Sequence, residues 1–228
     1  MLDPDVGIAG RQIAAVVFDL DGVLIDSEPV WERVRRQFVG EHGGRWPPDA
    51  QTRLMGMSTG EWARYLSEEL GVTLPPDQVA AVVIDQMTAR YAECLPLIPG
   101  ADGALRRLAV RWRLALASSS PRRLIDTALA VAGWDALFEA TMSTDEVGRG
   151  KPAPDIYQAV VSRLGLPASA CAAVEDSSNG LRSAASAGLL VIAVPRPQYP
   201  PAPDALEPAA LVLTSLADLT ADAVERIT

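Results

Sequence analysis

Along the chain, short unbroken apolar runs alternate with segments whose apolar residues recur every three or four positions. Continuous Val-, Ile- and Leu-rich runs suit strands buried on both faces of a parallel sheet. They predict strands over Ile13–Asp19, Leu114–Ser118, Leu137–Ser143, Ala172–Glu175, Leu189–Val194 and Ala210–Leu213. Helical periodicity falls between them, over Ala101–Val110, Pro121–Ala132, Ala153–Leu164 and Ser177–Ala187. Ser120 is the expected N-cap of the second of these, with Pro121 at its first helical position. Gly133, Gly165 and Gly188 stand where helices should stop. Strand and helix alternating at this spacing imply an α/β fold with a doubly wound parallel sheet.

One stretch departs from the alternation. Between Pro29 and Leu95 only amphipathic helical patterns occur, over Val30–Val39, Thr59–Leu70 and Asp77–Cys94, broken by Gly43-Gly44, Pro47-Pro48 and Pro75-Pro76. This predicts a helical insert at 29–96, within a sheet domain made of 1–28 and 97–228. The tract Pro195–Pro208 holds six prolines and is expected to be irregular surface loop rather than helix or central strand.

Composition narrows the chemistry. The 228 residues carry 29 acidic and 20 basic side chains, a formal net charge of −9, which disfavours nucleic-acid or anionic membrane partners. No apolar run approaches the roughly 20 residues needed to span a bilayer. The first ten residues lack the basic and apolar segments of a signal peptide. Two cysteines, Cys94 and Cys171, give no disulfide framework, so a cytoplasmic home is expected. Both read as buried apolar residues. With one histidine, His42, a zinc site of Cys and His lacks ligands, and any metal should be a hard ion held by carboxylates. His42, beside Gly43-Gly44, is expected to be solvent-exposed. Nineteen of the basic residues are arginine; the only lysine is Lys151.

The predicted strand ends carry the candidate chemistry. Asp19-Leu20-Asp21-Gly22-Val23 follows the first strand, and ligands of parallel sheets bind beyond the carboxyl ends of the strands. Two carboxylates brought together there repel unless a cation offsets them. Ala117-Ser118-Ser119-Ser120-Pro121 ends the second strand and opens a helix, an arrangement that suits an anion. Gly148-Arg149-Gly150-Lys151-Pro152 places a cation beside the same point. Val174-Glu175-Asp176-Ser177 adds two carboxylates. Taken singly, each run is also ordinary turn or capping chemistry. Their convergence on four strand ends is harder to explain that way.

In this order the four runs resemble the haloacid dehalogenase superfamily, and the resemblance extends from about Ile13 to Leu213. It implies a Rossmann-like core with the insert as a small α-helical cap, similar to the subgroup of β-phosphoglucomutase and many sugar phosphatases. By that resemblance Asp19 is the nucleophile that forms an aspartyl-phosphate, and Asp21 the acid/base. Ser118, Ser119 and Lys151 hold the phosphoryl oxygens. Mg²⁺ is held by Asp19, the Asp21 carbonyl and Asp176, with Glu175 binding directly or through water. Trp31, Gly56, Met57, Ser58 and Asn179 are expected to face the substrate.

The implied substrate is a small phosphate ester of the sugar or polyol phosphate class. No apolar stripe at heptad spacing demands a partner, so a monomer is expected. By resemblance a phosphomutase has histidine where this chain has Trp31 and arginine where it has Thr59. Arg53 and Arg64 are the nearby cations whose direction the sequence leaves open. Hydrolysis is therefore favoured over a β-phosphoglucomutase-type transfer, and both over a non-catalytic binding module on the same fold. Core packing is the expected role for at least two of Trp31, Trp46 and Trp62.

Overall fold

The computed structural model describes residues 12–55 and 57–227. Its strands are β1 (Ala15–Phe18), β2 (Arg113–Ser118), β3 (Phe138–Ser143), β4 (Cys171–Glu175), β5 (Leu190–Ala193) and β6 (Ala209–Val212). They form one sheet in the order β3-β2-β1-β4-β5-β6, and every pairing is parallel. The chain winds outward from β1 to β3, returns to place β4 on the other side of β1, and continues to β6. The reversal beside β1 leaves a crevice at its carboxyl end, where a ligand is expected to bind.

Both faces of the sheet are covered, which is why its strands read as unbroken apolar runs. Val16, Phe18, Leu114, Leu116 and Val174 pack with α5 (Ala101–Ala109) and α6 (Arg122–Ala132). Ala15, Val17, Ala115, Ala117 and Ala173 pack with α7 (Asp155–Leu164) and α8 (Ser178–Ser186). α6 and α7 end at Gly133 and Gly165 as the sequence predicts.

Between β1 and α5 the chain is helical: α1 (Glu28–Glu41), α2 (Ala50–Leu54), α3 (Thr59–Arg64) running into a π-helical turn at Tyr65–Glu69, and α4 (Pro76–Glu93). This run leaves and returns through two paired segments. Ile25 bridges Leu97, Asp26 N–H donates to Pro96 O at 2.7 Å, and Ile98 N–H to Leu24 O at 2.9 Å. Its helix α4 packs against α6. Trp31 and Trp62 are buried within it and Trp46 partly so.

Four expectations need correction. The proline tract contains a helical turn, α9 (Pro203–Leu206), because proline in a first turn forfeits no hydrogen bond. Ser120 is not the N-cap of α6: Pro121 flanks the helix and no side chain caps it. Cys94 is exposed at the end of α4, and only Cys171 is buried. His42 is half-buried, its ring stacked on Phe38 at 4.1 Å and its Nδ1 2.8 Å from Phe38 O. The last short helix, α10 (Ala221–Glu225), has too few turns to show a period. Among the described residues no helix is long and apolar enough to cross a membrane.

Candidate active site

The carboxyl ends of β1, β2 and β4 and the loop after β3 meet at the crevice beside β1. Asp19 follows β1 directly, and the chain turns at Gly22, where φ is +85°. A Cβ at Gly22 would overlap the Asp176 carboxylate, so glycine serves both the left-handed turn and the close approach. Asp21 Oδ2 accepts hydrogen bonds from Ser120 Oγ at 2.8 Å and Ser118 Oγ at 3.2 Å. Ser120 N–H in turn donates to Ser118 Oγ at 3.0 Å, and Ser143 Oγ to Ser120 O at 2.7 Å. The Ser120 hydroxyl, free of the helix, thus fixes the Asp21 carboxylate.

The Lys151 side chain is 5% exposed, and its ammonium donates to Glu175 and to the Ala117 carbonyl while forming an ion pair with Asp19. Its Nζ lies 2.9 Å from Asp19 Oδ1, 2.6 Å from Glu175 Oε1 and 2.9 Å from Ala117 O. Tyr157 OH also donates to Glu175 Oε1, at 2.6 Å, and its ring lies 5.2 Å from the ammonium. Asp176 N–H donates to Glu175 Oε2 at 3.3 Å. Gly180 in α8 leaves room for that carboxylate, which any Cβ would strike.

The electrostatics follow from burial. Burial, then the Glu175 charge, pushes the Asp19 carboxyl up to about 8 against the pull of Lys151. Burial likewise raises Asp176 well above the carboxylate range, with Glu175 and Asp19 adding to it. Burial alone would lower the Lys151 ammonium, but the Asp19 and Glu175 charges outweigh it and raise it. One lysine therefore stands against three buried carboxylates. Oxygens of Asp19, Glu175 and Asp176 lie within 4.8 Å of one another, and Asp176 Oδ1 is buried with no hydrogen-bond partner. An all-oxygen set with surplus negative charge and an orphaned acceptor fits a hard divalent cation.

A cavity of about 710 Å³ opens from these carboxylates toward the helical run. Trp31, Met57, Ser58 and Asn179 line it, as does Ser119, while Gly56 lies outside the described residues. Arg53 and Arg64 do not line it. Arg53 instead pairs with Glu69 at 2.7 Å over the Tyr65 ring, and Arg64 is exposed. Sequence reasoning missed Ser120 and Tyr157, whose roles arise from residues distant in the chain. It also missed Glu28 and Arg35, which line the cavity. Their spacing about Trp31, three before and four after, was a legible signal of one helix face.

The comparisons agree with this geometry. The model of the haloacid dehalogenase-like hydrolases matches residues 13–188. Hexitol phosphatase B of Escherichia coli K12 is 31% identical over 217 residues, covering 92% of this chain and 96% of its own. A probable pseudouridine-5'-phosphatase of Drosophila melanogaster is 32% identical, covering 91% and 92%. The crystal structure of CbbY from Rhodobacter sphaeroides in complex with phosphate superposes with a TM-score of 0.83 at 26% identity, covering 94% of this chain and 100% of CbbY. The family match, spanning most of the sheet and all four strand-end motifs, leads to one conclusion: the chain belongs to the haloacid dehalogenase-like hydrolase family.

Proposed function

We propose that this hydrolase is a Mg²⁺-dependent phosphatase of sugar and polyol phosphomonoesters, working through an aspartyl-phosphate on Asp19. The observation that carries the reading is the pairing of two differently held carboxylates at one strand end. Asp19 contacts the Lys151 ammonium, whereas Asp21 is held by two hydroxyls and faces the cavity. The hexitol phosphatase resemblance supports the substrate class.

In this reading an Asp19 oxygen attacks phosphorus in line, and the bond from phosphorus to the leaving oxygen breaks. Asp21 delivers its proton to that oxygen, freeing the alcohol. It then takes a proton from a water that attacks phosphorus, releasing phosphate and restoring the Asp19 carboxylate. Ser118, Ser119 and Lys151 hold the equatorial oxygens and offset charge as it develops. Asp19 and Asp176 would hold Mg²⁺ with the Asp21 carbonyl. Glu175, whose oxygens are engaged by Lys151, Tyr157 and Asp176 N–H, would assist directly or through water. The cation supplies a further counter-charge for the phosphoryl oxygens.

Residues 29–96 act as a cap that closes the cavity and excludes water, over a core of 1–28 and 97–228. Hydrolysis rather than transfer to a second position is supported by Arg53 and Arg64, since neither offers a second phosphate anchor. Steady phosphate release from a sugar- and polyol-phosphate panel with Mg²⁺ is the expected result. No release across that panel, or isomerisation of a hexose 1-phosphate outrunning release, would overturn the reading.

A further inference from the structure

On α1, Glu28, Trp31 and Arg35 stand at i, i+3 and i+7 and all line the cavity. Arg35 is unusual among them. It is only 6% exposed, and its guanidinium packs against two tilted indoles that also touch each other, 4.3 Å from the Trp31 ring and 5.0 Å from Trp62. Among the described residues its side chain makes no ion pair or hydrogen bond, and Nε is buried without a partner. Packing against two indoles offsets part of the cost of a buried cation. It satisfies none of the guanidinium hydrogens, which the indole faces leave pointing elsewhere.

Glu28 is the acidic group whose charge acts most on it, and the two form no ion pair. The Gln51 amide donates to Glu28 Oε1, which leaves the other oxygen open. Each residue nonetheless feels the other's charge, and the only further acidic group of the strand ends that bears on either is Asp21. Glu28 and Arg35 line the same cavity as Asp21, the residue that meets the leaving oxygen in the phosphatase reading. A helix rises about 10 Å over seven residues, so Glu28 and Arg35 reach the cavity at two points along one helix face, with Trp31 between them.

We propose that Arg35 and Glu28 form a leaving-group subsite that reads the hydroxyls of a sugar or polyol, Arg35 donating to an oxygen and Glu28 accepting from a hydroxyl. The inference rests on the phosphatase reading and deepens it. A hydroxyl both accepts and donates, so it satisfies both groups at once. A second carboxylate or phosphate would satisfy Arg35 but would be repelled by Glu28. Trp31 and Trp62 line the cavity and supply apolar surface for the carbon chain beside the guanidinium.

The test compares a hexitol 6-phosphate with hexyl phosphate, which has the same carbon count and no hydroxyls. Arg35→Met keeps an unbranched chain against the indoles; Arg35→Gln and Glu28→Gln are companion variants against misfolding. In Arg35→Met the ratio of kcat/KM for hexitol phosphate over hexyl phosphate is expected to fall about 30-fold or more, mainly through KM. A loss equal on both esters would overturn the subsite. So would a larger loss on a hexose bisphosphate than on the hexitol phosphate, which would assign Arg35 to an anion. Binding is read separately by tryptophan fluorescence in the Asp19→Asn background, since two indoles border the subsite. There the Arg35→Met change should weaken the hexitol phosphate selectively. If wild type hydrolyses neither ester, the phosphatase reading falls, and this binding comparison still decides the Arg35 assignment.

Discussion

The Lys151 ammonium lies 2.9 Å from Asp19 Oδ1, and the chain has no second lysine. Most of the described arginines are exposed cations, whereas the Lys151 side chain is buried among three acceptors at 2.6–2.9 Å. A guanidinium is wider and forked, and cannot place one nitrogen against Asp19, Glu175 and Ala117 O together. Lys151→Arg should fold and lose about 10²- to 10³-fold in kcat, the usual effect of removing one preorganised donor. Near-full turnover by the folded variant would show that the lone lysine is incidental.

Ser120 Oγ holds Asp21 Oδ2 at 2.8 Å, so Ser120→Ala frees one side of the acid/base carboxylate. We expect about a tenfold loss in kcat with little change in KM, since one hydrogen bond to a charged group contributes about 1.5–3 kcal/mol and Ser118 remains. Steady-state kinetics on one substrate check this. A loss confined to KM would place Ser120 in substrate binding instead.

Surplus negative charge at Asp19, Glu175 and Asp176 predicts stabilisation by Mg²⁺. At one hundred times the dissociation constant, binding to the folded state alone adds about 2.7 kcal/mol. Thermal melts with and without Mg²⁺ should show a clear rise for wild type and none for Asp176→Ala. Equal rises in both would remove Asp176 from the metal site.

Ser58 and Glu61 form a reciprocal cap at the start of α3, with Ser58 N–H donating to Glu61 Oε2 at 2.7 Å. The Ser58 hydroxyl, and then its N–H, hold the Glu61 carboxyl below its ordinary value. A depressed folded value means that this stabilisation is complete above the unfolded value, roughly pH 4.3. It is lost as pH falls through the lower folded one. Ser58→Ala should cost about 1 kcal/mol near neutral pH, roughly 2–4 °C in melting temperature. The difference between variant and wild type should shrink in acid, as urea titrations from neutral to acid pH would show.

Much of the core was legible because its signals are local. Strands such as β1 and β4 are unbroken apolar runs, and each ends in the residues that carry chemistry. What stayed hidden depends on contacts between distant segments. Ser120 looks like a helix cap until Asp21, 99 residues away, claims its hydroxyl. Cys94 reads as apolar, but α4 ends with that position facing solvent. The proline tract was judged by what proline forbids inside a helix, whereas α9 begins with one. In sequence Arg35 looks like any lone arginine on an amphipathic helix, which is ordinarily solvated. Only the packing of Trp31 and Trp62 around it shows otherwise.

The most direct test of the account is whether Asp19 carries the phosphoryl group during turnover. Wild type mixed with a hexitol 6-phosphate and Mg²⁺, quenched in acid and digested, should yield the Asp19 peptide with one added phosphoryl group. Asp19→Asn should show neither the adduct nor phosphate release. Phosphate release by Asp19→Asn near the wild-type rate would contradict the account.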